Sequence, residues 1–335
     1  MHDLPLLTAI AAYDLEPPIT TFAVTQGKNN TSVGIHTGAG DFIWRGYAAI
    51  HGKASIHYEH RLLAWLATAG LSFAIPVPVP ARDGSLLVEG SDGRGMLSRY
   101  VRGSRVEPGD PEQAELLGRA IGELHTTLQR YASAPRPGRP LFESFFEFPE
   151  EHDPRTLTPT SLGLPEQPPY VDQLAWWRSE ASELDAFVKG VYRTLPWQVC
   201  HNDVTPANVL VDGGRVSAVL DWEFATVTAR AQDIAMGLRM TMQVWENPEP
   251  WPIVRRLLRG YARYATLTEA EAVALPLLLR LRSTIGLLWW LAHLPRTSSA
   301  LEPVVRGIQY QRNLVDWLAS HGERFVEVVL EELST

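Results

Sequence analysis

A single cysteine, Cys200, stands in the whole chain. It rules out an internal disulfide, suits a reducing compartment and gives no support to a thiolate metal site. Basic residues are in deficit: 30 Lys+Arg against 38 Asp+Glu leave a net charge of −8. That balance argues against a general nucleic-acid binder, whose affinity comes largely from neutralised backbone phosphates, but leaves room for a local cationic pocket. No long apolar run is free of charge. The longest, 272–294, carries Arg280 and Arg282 near its middle, which favours a buried helix over a membrane span. An apolar stretch at 4–12 is broken by Pro5 and has no Lys or Arg before it, so a signal peptide is not expected. No internal repeat is evident. These absences predict a cytoplasmic protein with neither nucleic acid nor membrane as partner, and they leave the oligomeric state open.

What is present is an ordinary globular composition, 45% hydrophobic and 20% charged, over 335 residues, enough for two lobes with a core each. The most informative stretch is His201-Asn202-Asp203-Val204-Thr205-Pro206-Ala207-Asn208, followed thirteen residues later by Asp221-Trp222-Glu223. An Asp and an Asn five residues apart on one tight loop can face a single phosphoryl group from two sides. Asp203 would take a hydroxyl proton and Asn208 would hold a cation. After Asn208 come Val209-Leu210-Val211, a reversal at Asp212-Gly213-Gly214, and a second strand over 216–220, a hairpin that folds Asp221 back toward Asn208. A carboxylate and an amide oxygen at a strand end suit Mg²⁺, a hard cation that shares its remaining sites with phosphates. Read singly, Asp203 is also a plausible turn cap and Asn208 a turn residue. The composite order, ending in Asp233-Ile234-Ala235, favours phosphoryl transfer.

At these residues the chain resembles the aminoglycoside phosphotransferase, choline kinase and homoserine kinase type II superfamily, small-molecule relatives of the protein kinases. The resemblance implies an α+β, bilobal protein-kinase-like fold, with a small antiparallel β N-lobe and a larger, mainly helical C-lobe. It implies that Asp203 is the base, that Asn208 and Asp221 bind Mg²⁺, and that Asp233 braces the loop from a helix. His201 would hold the loop in shape. His-Asn-Asp followed by Asp-x-Glu looks like choline and ethanolamine kinases, in which the Glu, here Glu223, also sits near the metals. Elsewhere the texture is closer to homoserine kinase type II. The nucleotide would be ATP and the acceptor a small molecule.

Residues 1–103 read as the nucleotide lobe, with strands at 21–25, 31–37, 41–47, 86–89 and 95–101 and one helix at 55–69. Between the first two strands, Gln26 to Ser32 lies where a kinase places its phosphate-covering loop. It lacks the full Gly-rich pattern, but Asn30, Thr31 and Ser32 can donate hydrogen bonds to phosphate, and a plain polar turn is the alternative. Arg45 shares a strand face with Ile43 and Tyr47. Its partner would be Glu59, which heads the inward helical spacing Glu59, Leu62, Leu63, Leu66. We infer that Arg45 fills the slot of the protein-kinase strand lysine; Lys53 competes for that slot, and an outward Arg45 is the bland reading. Residues 96–101 look like the hinge strand, whose backbone near Arg99 and Val101 would meet adenine.

The second lobe, 104–335, opens on Asp110-Pro111-Glu112-Gln113, an N-cap with Pro at the first helical position. A helical stripe follows at Leu117, Ile121, Leu124 and Leu128, in which His125 reads as structural. His57 and His60 lack zinc-protease spacing. A Pro-rich insertion at 135–169, with Phe142, Phe145, Phe146 and Phe148, reads as a lid or as surface decoration. Thr268 to Glu271 is a capping box for the long apolar helix, with helices at 257–264 and 304–318 as neighbours. Trp245, Trp251, Trp289 and Trp290 are either core or acceptor-pocket residues. The acidic cluster favours an amine-bearing acceptor, while Arg280 or Arg282 could instead bind an acceptor carboxylate. A catalytically idle nucleotide-binding protein would have lost the base or a metal ligand, and both are present. A protein kinase would carry Asp-Phe-Gly and Ala-Pro-Glu after Asp221, and neither is found.

Overall fold

The computed structural model describes residues 10–24, 30–49, 51–90, 93–137, 157–293 and 298–333, with 290–293 and 298–303 described by backbone only. Residues 26–29 of the expected phosphate loop, and 138–156 of the Pro-rich insertion with its four phenylalanines, lie outside the described residues. The chain forms two compact units. One takes Met1–Ser104, Arg136–Arg139 and Leu210–Glu223; the other takes Arg105–Pro135, Pro140–Val209 and Phe224–Thr335. The fold is the α+β, protein-kinase-like one.

The first unit is built on strands β1 (Thr20–Phe22), β2 (Thr31–Thr37), β3 (Gly40–Tyr47), β4 (Val88–Gly90) and β5 (Gly93–Arg99), with helix α1 (Lys53–Leu66) between β3 and β4. The strands pair antiparallel in the order β1-β2-β3-β5-β4. Alternation along β3 decides what each face carries. Phe42 and Trp44 join Ile35, Leu97 and Tyr13 in one core cluster. Tyr47 joins Met96 and Ile56 of α1 in another, so Arg45, on the Tyr47 face, is turned toward the helix. A side chain at position 95 would collide with the Trp44 ring and the Arg45 carbonyl, which is why glycine stands there. Helix α1 buries Glu59, Leu62, Leu63 and Leu66 on its inner face.

Strands β6 (Ser104–Arg105), β8 (Val209–Asp212) and β9 (Arg215–Val219) make a three-stranded sheet. Gly213 and Gly214 at φ 55 and 74 turn the β8–β9 hairpin, a left-handed pair that glycine adopts without strain. Ala74 clips onto β9 by bonding to Ser217 and Val219.

The second unit comprises α2 (Pro111–Leu128), α3 (Tyr170–Lys189), strand β7 (Trp197–Cys200), strand β10 (Thr226–Ala229), α4 (Ala231–Met242), α5 (Trp251–Ala262), α6 (Glu269–His293) and α7 (Ser298–Leu333). Asp110 caps α2 by accepting from the backbone of Glu112 and Gln113. Gly118 of α2 lies against the Leu257 carbonyl and Gly260 of α5 against the Glu115 carbonyl, so these two helices cross at backbone distance. The capping box of α6 forms as expected, with Thr268 N donating to Glu271 and Glu271 N to Thr268 Oγ1. By length and composition the stretch Glu269–Trp289 could cross a membrane, but 61% of its apolar window is buried in the fold. β7 pairs antiparallel with β10. The loop bearing His201 to Asn208 leaves the end of β7, and α4 starts right after β10.

Candidate active site

In the second unit the loop 201–208 is tied down from below by Asp233, in the first turn of α4 and fully buried. Its Oδ2 accepts from His201 N at 3.0 Å and its Oδ1 from Asn202 N at 2.6 Å. His125 Nε2 lies 3.4 Å from Oδ2, and its Nδ1 meets the Tyr261 hydroxyl at 3.1 Å. Burial pushes the Asp233 carboxyl up, yet the hydrogen bond and charge of His125, with His201 and the Asn202 amide, pull it below the usual carboxylate value. Asn202 sits at φ 64, a left-handed conformation that asparagine tolerates better than most residues. The bend lifts Asp203, which stays half-buried. Its backbone N–H donates to His201 Nδ1 at 3.2 Å.

Asn208 closes the loop. Its Nδ2 donates to the Asp203 carbonyl at 2.9 Å and to Asp203 Oδ2 at 2.7 Å. Both partners are acceptors, so the amide orientation is fixed by its hydrogen bonds, and Asn208 Oδ1 is turned away from them with no donor among the described residues. An amide oxygen without a donor fits a hard cation.

In the first unit Asp221 and Glu223 meet Arg45 and Glu59. Arg45 Nη1 lies 3.1 Å from Glu59 Oε1, and its Nη2 lies 2.5 Å from Asp221 Oδ1 and 3.5 Å from Glu223 Oε2. Burial works against the Arg45 charge, but Asp221 and Glu59 outweigh it and hold its pKa above the ordinary value. Glu59 is fully buried and also takes Arg136 Nη2 at 2.9 Å. Burial raises the Glu59 carboxyl, and the two guanidiniums more than reverse the shift. Glu223 accepts Asn30 Nδ2 at 2.5 Å and has His51 Nε2 at 3.0 Å.

Asp221 sits at φ 62 with its side chain 31% exposed, and among the described residues only its Oδ1 is bonded. Desolvation pushes its carboxyl up, Arg45 pulls it back, and Glu223 and Glu59 push it up again, leaving it above the usual value. A carboxylate crowded by two others, with an oxygen still open, suits a divalent cation, whose charge would relieve the crowding.

Of the remaining expected residues, Thr31 and Ser32 stand on β2 opposite Gly46 and Arg45. Arg99 is exposed at the end of β5, its guanidinium 5.3 Å from the Phe42 ring, and Val101 follows half-buried. Lys53 pairs with Glu89 at 2.6 Å on the exposed side, so it is Arg45 that meets Glu59. Arg280, a candidate carboxylate ligand by sequence, is taken up by Glu180 and Glu183, each at 2.6 Å. Trp245 stacks on Tyr310 and Trp251 packs with Trp317, while Trp289 meets Phe224 edge-on. The side chain of Trp290 lies outside the described residues.

His125, Cys200 and Asp233 bring ligand atoms within 4.8 Å of one another. Burial and the Asp233 charge raise the Cys200 thiol well above its usual value, so it stays protonated, and both His125 nitrogens are engaged. The trio is packing, not a metal centre. Sequence reasoning missed His51 and Arg136. The first precedes α1 without a pattern, and the second lies in a Pro-rich stretch where no periodicity marks a buried residue.

The chain belongs to the Phosphotransferase enzyme family, whose model matches residues 22–275. It is a small-molecule kinase. A homoserine kinase of Bradyrhizobium diazoefficiens is 28% identical over 280 residues, covering 81% of this chain and 78% of that protein. Among solved structures, an amicoumacin kinase in complex with AMP-PNP, Ca²⁺ and Ami superposes with a TM-score of 0.70 at 17% identity, covering 94% of each chain. A microcompartment-associated aminopropanol kinase superposes with a TM-score of 0.67 at 20% identity, covering 96% of this chain and 98% of that one.

Proposed function

We propose that this phosphotransferase moves the γ-phosphoryl group of ATP to the hydroxyl of a small metabolite that also carries an amine. The observation that carries the reading is the Asp203–Asn208 pair, locked together at 2.7 Å on a loop braced by Asp233. Asp203 takes the proton from the acceptor hydroxyl as its oxygen attacks the γ-phosphorus. The bond from that phosphorus to the β–γ bridging oxygen breaks, and ADP leaves with the electron pair. Asn208 Oδ1, Asp221 and Glu223 would be the groups to hold Mg²⁺, which would supply charge neutralisation to the phosphates. Arg45, oriented by Glu59, would face the α- and β-phosphates. Asn30, Thr31 and Ser32 would line the phosphate loop, and the backbone near Arg99 and Val101 would meet adenine.

The carboxylates of Asp203, Asp221 and Glu223 favour a cationic acceptor by charge. Homoserine and aminopropanol, in the names of the relatives, each combine a hydroxyl with an amine, which supports the reading. The test is ATP turnover over a panel of amino alcohols, hydroxy amino acids, aminoglycosides and nitrogen-free alcohols. Turnover is expected only with nitrogen-bearing acceptors, and Asp203→Asn should lower kcat by about 10² to 10⁴ while MgATP still binds. Activity confined to nitrogen-free alcohols would overturn the acceptor class. ATP binding without turnover of any acceptor would mark a catalytically idle protein.

A further inference from the structure

Arg136 is buried in the first unit, and the phosphoryl-transfer scheme gives it no task. Its three guanidinium nitrogens end on three different groups: Nε donates to Ser55 Oγ at 2.6 Å, Nη2 to Glu59 Oε2 at 2.9 Å and Nη1 to the Trp222 carbonyl at 2.8 Å. Ser55 and Glu59 stand four positions apart among the buried residues of α1, so they share one face of the helix. Trp222 lies between Asp221 and Glu223. It is fully buried, and its ring Nε1 donates to the Val219 carbonyl at 3.1 Å. One side chain thus ties the helix that carries Glu59 to the residue that joins the two candidate metal carboxylates.

The link reaches the candidate site from two directions. Through Glu59 it meets Arg45, which donates to Oε1 at 3.1 Å while Arg136 holds Oε2. Through Trp222 it meets Asp221, which takes Arg45 Nη2 at 2.5 Å and sits at φ 62, a left-handed conformation uncommon outside glycine. Such a conformation persists where its surroundings over-determine it, and the two bonds that hold Trp222 are restraints of that kind. Two guanidiniums serve three carboxylates here, so loss of Arg136 would leave Arg45 to face Glu59, Asp221 and Glu223 alone. An arginine claimed by three carboxylates is less available to phosphate. As placed, Arg136 touches no nucleotide: its side chain is wholly out of solvent, whereas that of Arg45 is 9% exposed.

We propose that Arg136 is a positioning residue for the nucleotide and its metal, holding Glu59, and through it Arg45, in fixed relation to the segment that bears Asp221 and Glu223. The proposal rests on the assignment above of Arg45 to phosphate and Asp221 to metal, and adds to it a residue that acts through others. Guanidinium is the group suited to the task, because donors spread over a rigid plane can bridge a carboxylate on one segment and a carbonyl on another. A lysine ammonium is a point charge. It can pair with Glu59 but cannot also hold Ser55 and Trp222 at the spacing of the fork, so charge and geometry are separable by substitution.

Calorimetric titration with AMP-PNP, once with Mg²⁺ and once with EDTA, tests this without turnover, the ratio of the two affinities measuring what the metal contributes. Arg136→Lys keeps a cation beside Glu59 and should fold, as circular dichroism checks. It should weaken MgAMP-PNP binding on the order of 10- to 100-fold, the loss expected for a charged hydrogen bond, with most of that loss in the metal-dependent ratio. KM for the acceptor should stay within about threefold. Arg136→Met, which removes the charge as well, should lose more than Arg136→Lys. Ile35→Ala controls for stability alone: it opens a cavity in the other core cluster of the sheet and should leave the ratio as in wild type. A folded Arg136→Lys with the wild-type ratio, an equal fall in Ile35→Ala, or an Arg136→Lys that does not fold each shows that Arg136 serves the fold, and overturns the positioning role while the site assignment stands. A wild type whose affinity is indifferent to Mg²⁺, or keeps its metal dependence in Asp221→Gly, overturns the assignment itself, and the role of Arg136 falls with it.

Discussion

Glu59→Gln is the perturbation that reads the buried charges of the first unit most directly. Arg45 Nη1 and the Tyr47 hydroxyl both donate to Glu59 Oε1, at 3.1 and 3.3 Å, whereas Arg136 Nη2 donates to Oε2 at 2.9 Å. A glutamine keeps one acceptor and turns the other into a donor. Placing the amide oxygen on the Oε1 side preserves two contacts and sacrifices one, so the amide NH₂ should face Arg136. Removing one partner of a buried ion pair costs about 3–5 kcal/mol. The lower end applies here, because Arg45 keeps Asp221 and Glu223, and Arg136 keeps Ser55 Oγ at 2.6 Å and the Trp222 carbonyl at 2.8 Å. About 3 kcal/mol corresponds to roughly 10²-fold faster amide exchange in β3 and α1, if those amides exchange through opening of this unit. Hydrogen exchange by mass spectrometry measures it segment by segment. In the Glu59→Gln background, Arg136→Met should then cost less than it does in wild type, because the charge it removes has already lost its carboxylate. Exchange within about threefold of wild type, or strictly additive variants, would refute the reasoning, since the pair would contribute no more than an exposed one.

Two further outcomes follow from the same geometry. Asp221→Gly removes the open carboxylate oxygen yet tolerates φ 62, which alanine would not, so Mg²⁺-dependent ATP affinity should vanish in calorimetry while the protein stays folded; an unchanged metal dependence places the ligand elsewhere. The folded pKa of Asp233 is depressed, so its stabilisation is complete above its ordinary value and is lost as pH falls through the lower folded value. Acid titration of protection at the His201 and Asn202 amides should therefore show a transition below about pH 4 that Asp233→Asn abolishes. Its persistence in the variant would show that another carboxylate governs the loop.

The loop 201–208 and the hairpin after it were legible in the sequence because their contacts are local. His201, Asp203 and Asn208 bond to one another within eight residues, and Gly213-Gly214 announces the reversal. The same holds for the Asp110 and Thr268 caps and for the inward stripe of α1, where spacing alone selects the buried face. Arg45 and Glu59 could be paired in advance because strand and helix periodicities each put a charge on a buried face, and a buried charge requires a partner. No such rule reaches Arg136, which lies 77 positions from Glu59 in a segment without periodicity. Nor does any rule separate Arg239 from Arg280: both sit on helices among apolar residues. Only the packing of α3 against α6 gives Arg280 its carboxylates, and only the packing of α4 against α6 gives Arg239 a serine, Ser283, in their place. Local pattern thus determines which residues form the loop 201–208 and its supports, because hydrogen bonds and periodicity act over a few residues. Which charges are satisfied and which remain available is decided by side chains that meet from distant parts of the chain, and that meeting is a property of the tertiary fold.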